Sequence, residues 1–204
     1  MSRVTCKKCR RLGESICGRE KCAFKKRPYA PGILDSQRKH RTNQSEYGMQ
    51  LKEKQKMRHA YGVSEKQFSN YVANLKSVSE KLKISPKEAL VMALESRLDN
   101  VVYKMGLSTS RAGARQITSH AHITVNGKNL NVASAVMSIG DVIAVRENSK
   151  SRKTFTSIAE NLKAYKAPKF LELDTEKMTA KVVSAPIETE YSFDIDKVLE
   201  YYSR

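Results

Sequence analysis

Every cysteine of the chain falls within its first 22 residues: Cys6, Cys9, Cys17 and Cys22, spaced C-x2-C-x7-C-x4-C. A segment this short cannot bury an apolar core of its own, so the thiols decide what it can fold into. Two cysteines with two residues between them can hold one metal through a tight knuckle, and a second pair with four between closes a tetrahedron. Zn²⁺ held by four thiolates has no open coordination position, so the expected cofactor is one structural zinc per chain on Cys6, Cys9, Cys17 and Cys22. Two disulfides are the competing reading. The opening MSRVTCKKCRRLGES has no apolar stretch of signal-peptide type, so the expected compartment is the cytosol or an organelle matrix, where disulfides are rare. A redox C-x-x-C pair would need a βαβ context that the flanking residues do not offer.

Lys and Arg number 38 against 21 Asp and Glu, a formal net charge of +17 in 204 residues. The excess is spread along the chain. Residues 1–45 hold 13 basic and 3 acidic groups; 46–93 and 94–160 each hold 9 and 5; 161–204 hold 7 and 8. Charge of this kind calls for a polyanion, because each Lys or Arg beside a phosphate releases condensed counterions. An anionic membrane surface is the alternative, but such binders concentrate charge on one amphipathic helix. A broad basic footprint suits a large folded RNA better than a short DNA site. No apolar run approaches the roughly 18 residues of a bilayer span, so no membrane partner is expected.

Arg27-Pro28-Tyr29-Ala30-Pro31-Gly32 and the polar DSQRKHRTNQ (35–44) read either as an arm that orders on RNA or as a linker. A helix is expected from near Ser45 through LKEKQKMRHAYG to a stop at Gly62. Only Leu51 and Met57 are apolar in its middle, and Lys52, Lys54, Lys56 and Arg58 fill the rest, which is the pattern of a solvated face. Ser64-Glu65-Lys66-Gln67 is a capping box, after which Phe68, Tyr71, Val72 and Leu75 recur at helical spacing and belong to a core. Residues 77–87 read as a polar connection. Ser85-Pro86 then starts a helix whose stripe of Leu90, Leu94, Leu98, Val101, Val102 and Met105 continues to Gly106.

Ser108 is the expected cap of a helix running through Arg111, Arg115, Gln116 and His120. Arg111 and Arg115 are four apart and share a face, while Ala114, Ile117 and Ala121 point elsewhere, inward. A guanidinium fork can bond two phosphate oxygens at once, so replacing both arginines by Ala should weaken RNA binding and barely move the thermal melt. The strand His122–Val125 leads into Asn126-Gly127, a two-residue hairpin turn, with Lys128 just past it. Gly140-Asp141 turns into the alternating strand Val142–Val145. Helices feeding a small twisted antiparallel sheet make the fold class α+β.

The stretch LESRLDNVVYKMGLSTSRAGARQITSHAHITVNGKNLNV (94–132) resembles the RNA-binding domain named after small-subunit ribosomal protein number four, a module also found in some pseudouridine synthases, tyrosyl-tRNA synthetases and a heat-shock RNA binder. EYGMQLKEKQKMRHAYGVSEKQF (46–68) is similar to the helical domain of that ribosomal family itself, EYYSR (200–204) matches its C-terminus, and a four-cysteine knuckle occurs in its zinc-binding bacterial forms. The resemblance implies a primary ribosomal-RNA binder on a multi-helix junction of the 5′ domain. It would nucleate assembly of the small-subunit body. It would abut small-subunit ribosomal proteins three and five beside the channel through which messenger RNA enters, and contribute to translational accuracy. Carried onto this chain, the implied RNA contacts are Lys52, Lys54, Lys56, Arg58, Arg97, Arg111, Arg115, Gln116, His120 and Lys128.

The implied organisation is an N-terminal basic arm with a four-cysteine zinc knuckle (1–44), a helical domain (45–93) completed by a tail packing back on it (161–204), and an inserted α+β RNA-binding domain (94–160). Departures fall on the arm: Pro31-Gly32 leads into ILDSQRKHR where the family has Gly-x-His-Gly, and the loop between the cysteine pairs is only seven residues. Two other readings compete. An RNA-modifying enzyme would need a separate catalytic domain with an essential Asp, and the remaining length holds none; the only histidines are His40, His59, His120 and His122, and no phosphate-binding G-x4-G-K-[ST] is present. A zinc-ribbon DNA-binding regulator is distinguished by its preference for duplex DNA over structured RNA. The expectation is therefore a ribosomal structural protein without catalytic residues or a small-molecule substrate.

Overall fold

The computed structural model describes residues 5–32, 43–162, 165–186 and 193–203. Most of the expected arm, residues 35–42, lies outside the described residues, as does Arg204. Among the described residues the chain forms α1 (Cys6–Leu12), α2 (Ala23–Lys26), α3 (Glu46–Ala60), α4 (Glu65–Ala73), α5 (Leu75–Leu82), α6 (Pro86–Glu95), α7 (Leu98–Lys104) and α8 (Arg111–Ser119). There follow β1 (Ile123–Val125), β2 (Lys128–Asn129), β3 (Val142–Val145), α9 (Glu147–Lys150), α10 (Lys153–Leu162), β4 (Leu171–Asp174), β5 (Thr179–Val182) and α11 (Ile195–Tyr202). The class is the expected α+β. Two compact units share the chain: Met1–Lys87 with Glu190–Arg204, and Glu88–Thr189.

In the first unit α3 packs against α11. Ser45 caps α3 by accepting from the Gly48 amide, and Ser64 and Gln67 form the expected capping box of α4. Phe68 is fully buried, and its ring lies 6.0 Å from that of Tyr202. Where a polar connection was expected, Leu75–Leu82 is helical. Leu75 is buried and Val78 half-buried three residues on, which is enough to seat two turns, and Lys83 then ends the helix in a left-handed conformation at φ 52.

In the second unit the single long helix expected from Pro86 to Gly106 is two. α6 ends at Glu95, Arg97 is extended at φ −67 and ψ 139, and α7 starts at Leu98. The break is held by backbone pairing with a distant segment: Leu98 N–H donates to Ala135 O at 2.8 Å, Asp99 N–H to Ala133 O at 3.1 Å, and Met137 N–H to Ser96 O at 2.7 Å. Apolar periodicity ran through the break because Leu94 and Leu98 are both buried on either side of it. The cap of α8 is Ser110, which accepts from Gly113 N–H, and not Ser108, whose hydroxyl donates to Ser110 O.

The sheet is antiparallel throughout, in the order β2-β1-β3-β5-β4. Asn126 and Gly127 both have positive φ, 49 and 78, the geometry of the expected two-residue turn, and Val125 pairs with Lys128 across it. β4 and β5 come from the segment expected to return to the helical domain. Thr179, Ala180 and Lys181 pair with β3, so the stretch 161–204 is divided, and only α11 and the residues beside it belong to the first unit. Along β3, Ile143 and Val145 are buried while Val142 faces out at 41% exposure. Ile143 joins Leu98, Val102, Ile123, Phe155 and Val182 in one core. Gly106 ends α7 at φ 79, where a Cβ would come within 2.9 Å of the Tyr165 ring. Ile143→Ala should cost about 2–5 kcal/mol of unfolding free energy, read from the urea midpoint. Val142→Ala should stay within about 0.5 kcal/mol.

Candidate nucleic-acid interface and cysteine cluster

The four cysteines are free thiols. Cys6 and Cys9 share one face of α1, Cys17 lies in the turn that follows, and Cys22 is the residue before α2. The sulfurs of Cys6, Cys17 and Cys22 lie within 4.8 Å of one another, and Cys9 is fully buried beside Cys17. Burial, then the neighbouring Cys17, pushes the Cys9 thiol up to about 12. Burial would also raise Cys22, but hydrogen bonds from Ser15 and the Phe24 amide bring it down to about 7. Thiolates around a tetrahedral Zn²⁺ stand about 3.8 Å apart, the separation that Zn–S bonds of about 2.3 Å impose. Cys6, Cys17 and Cys22 therefore lie close enough to hold one metal ion, and Cys9 lies outside that group of three.

On α3 the four basic residues are not equivalent. Gln50, Lys54, Met57 and Ala60 form the buried stripe. Lys54 is 4% exposed; its Nζ lies 2.6 Å from Glu65 Oε1 and 4.3 Å from the centre of the Tyr201 ring. It was expected at the RNA surface and is instead inside, bound to a carboxylate and an aromatic face. The Lys52 ammonium lies beside Gly13. Lys56 sits between Glu53 at 2.7 Å and Glu14 at 3.0 Å; burial opposes its charge, but the two carboxylates win and raise its pKa. Arg58 donates to Gln55 and lies 3.3 Å from Glu65. Burial, with Lys8 and Arg58 nearby, pushes His59 down to about 4, so it is neutral at pH 7.

In the second unit the arginines singled out in the sequence converge on two buried acids. Asp99 is 3% exposed. It accepts from Arg97 Nε at 3.1 Å, from Arg97 Nη2 at 2.9 Å and from Arg115 Nε at 2.7 Å. Glu95, 1% exposed, accepts from Asn100 Nδ2 at 2.6 Å; the same Asn100 takes Arg111 Nε at 2.7 Å on its Oδ1. Arg111 is also 3.6 Å from Glu95 and stacks 4.8 Å above the Tyr103 ring. Arg97 is itself 2% exposed and turned away from solvent, so its part is structural, contrary to the expectation of an RNA contact. Arg111 and Arg115 keep about a quarter of their side chains exposed, 24% and 22%. Gln116, His120 and Lys128 are exposed.

Glu95, Asp99 and Asn100 were missed as site residues. The signal was present: polar residues in Glu95-Ser96-Arg97-Leu98-Asp99-Asn100 interrupt an apolar stripe and must find partners once buried. The pairing also revises the expectation that losing Arg111 and Arg115 would leave the melt unmoved, since each loss removes a cationic partner from a buried carboxylate. Asp99→Ala should destabilise the chain by about 3–5 kcal/mol, because it leaves the Arg97 charge buried alone. Adding Arg97→Met to that variant should restore a large part of the loss, read as a non-additive double-mutant cycle in urea melts.

Two family models match: the ribosomal protein S4/S9 N-terminal domain over residues 2–95 and the S4 domain over residues 96–143. The chain is 44% identical to small ribosomal subunit protein uS4 of Caldicellulosiruptor saccharolyticus, covering 98% of this chain and 96% of that one. It is 43% identical to uS4 of Ruminiclostridium cellulolyticum, over 98% and 97%. It is 42% identical to uS4A of Alkaliphilus oremlandii over the full length of both. The buried acid–arginine core of the second unit thus lies in the S4 domain with its first acid at the boundary, and the chain belongs to the uS4 family of small ribosomal subunit proteins.

Proposed function

We propose that this chain grips folded small-subunit ribosomal RNA by electrostatic attraction and shape, and performs no reaction of its own. Membership of the uS4 family makes it a structural component of the small ribosomal subunit. The observation that carries the RNA reading is the cationic end of α8. There Arg111 and Arg115 are locked on buried acids with part of each side chain still exposed, and Gln116, His120 and Lys128 lie open nearby in the chain. Guanidiniums held in place lose little side-chain entropy when they meet phosphate. On the first unit Lys52, Lys56 and Arg58 are the α3 cations of this reading. Lys54 supports the fold of the first unit and Arg97 that of the second. The same reading has the chain bind early and nucleate the subunit body, beside small-subunit proteins three and five and the path of messenger RNA, where it would affect decoding accuracy.

Cys6, Cys9, Cys17 and Cys22 would hold one zinc, whose chemistry there is structural: it cross-links α1, the turn and α2. Native mass spectrometry of the reduced protein should find one zinc per chain, lost on replacement of Cys17 and Cys22 by Ser; a metal-free mass with all thiols reduced refutes the zinc. For RNA, filter binding to full-length small-subunit ribosomal RNA is expected to weaken about 10³–10⁵-fold between 50 and 200 mM salt, as about six to ten phosphate contacts require. Duplex DNA at the same salt should compete poorly. A flat salt response, or equal competition by duplex DNA, refutes the reading.

A further inference from the structure

The second unit contains five arginines: Arg97, Arg111, Arg115, Arg146 and Arg152. Three of them lie against the buried acids Glu95 and Asp99. Arg146 and Arg152 are both exposed, and among the described residues neither guanidinium meets a carboxylate. The acid nearest to them in sequence, Glu147, is engaged by Lys150 at 2.7 Å.

Backbone contacts bring the segment that carries these two arginines beside His122, whose imidazole is fixed. Arg146 N–H donates to His122 O at 2.9 Å, an extension of the β1–β3 ladder. The chain then coils back, with Ser149 N–H on Arg146 O at 2.8 Å and Arg152 N–H on Ser149 O at 3.1 Å. Ser149 is 3% exposed, and its Oγ lies 2.9 Å from His122 Nδ1. The buried Phe155 ring meets the imidazole edge-on at 5.6 Å and 73°. One nitrogen and one edge of His122 are therefore held, and its Nε2 has no hydrogen-bond partner among the described residues. The exposed His120 ring lies 6.2 Å away. Burial, then Arg152, His120 and Arg146, holds His122 below its usual pKa, the sign expected where positive groups converge without an anion.

Packing explains Ser149, His122 and Phe155, but it needs neither arginine. Two imidazoles 6.2 Å apart and two exposed arginines on the segment bonded to the His122 backbone, with no carboxylate on either arginine among the described residues, suit the oxygens of a phosphodiester. We infer that His120, His122, Arg146 and Arg152 form a further phosphate-binding site for ribosomal RNA, built from the β1 entrance and the loop that leads into α10. The inference rests on the RNA-binding reading, which already includes His120, and adds His122, Arg146 and Arg152 to it.

The test uses the full chain and full-length small-subunit ribosomal RNA. R146Q/R152Q should raise the Kd about tenfold or more at 100 mM salt and lower the slope of log K against log salt by about 1–2 units, with the thermal melt unchanged. R146K/R152K should recover most of the slope, since it restores the charge. Ultraviolet cross-linking of the unmodified protein to the same RNA gives a second readout free of any folding effect, and peptides spanning residues 120–122 or 146–152 should carry RNA adducts. A double variant with unaltered Kd and slope, or cross-links that avoid both peptides, overturns the site while leaving the wider reading intact. Loss of salt-sensitive RNA binding by the unmodified protein overturns both.

Discussion

A carboxylate sealed between two guanidiniums organises the second unit. Asp99 is buried, and unpaired it would cost several kcal/mol; the pairing with Arg97 and Arg115 offsets that cost. The demand for those partners reaches three segments at once. It ends the first helix before Arg97, fixes the start of α7, and docks α8 through Arg115. Glu95 does the same through Asn100 and Arg111. A set of buried charges of this kind adds little net stability compared with apolar packing, but it admits few alternative arrangements of the helices. Its product is two arginines whose positions are decided by the interior.

The same logic governs the first unit in a milder form. The inner stripe of α3 carries Gln50 and Lys54 beside Met57, and α11 supplies what they need. Glu200 accepts from Gln50 Nε2 at 3.0 Å, and the face of Tyr201 covers the Lys54 ammonium while Tyr202 hydroxyl donates to Glu65 at 3.0 Å. A helix read as solvated along its length is thus half interior, and the last residues of the chain are its complement. This arrangement sorts the cations. Lys54, sealed against a carboxylate at 4% exposure, holds the fold, while Lys56 and Arg58 meet carboxylates yet keep part of their side chains exposed and stay available to a polyanion.

That sorting also separates the two kinds of basic residue in the S4 domain. Arg111 and Arg115 combine both roles, bonded inward and exposed in part. Arg146 and Arg152 are exposed and, among the described residues, meet no carboxylate. An anion approaching the latter pair displaces water and relieves repulsion, without competing against an internal acid.

Much of this was legible in the residues alone. Asn126-Gly127 specified its hairpin because both turn positions need positive φ. Ser64 with Gln67 specified the start of α4, and the cysteine spacing specified a thiol cluster, which Cys6, Cys17 and Cys22 form. Local chemistry sufficed in each case. What sequence could not reveal depended on partners far along the chain. The break at Arg97 needs residues 133–137, β5 needs β3 and β4 needs β5, and the inward turn of Lys54 needs Glu65 and Tyr201. A charged side chain looks the same in a sequence whether it faces water or a buried acid. Only the fold brings the acid within hydrogen-bonding distance, and Coulomb attraction in a low-dielectric interior then decides which cations stay inside.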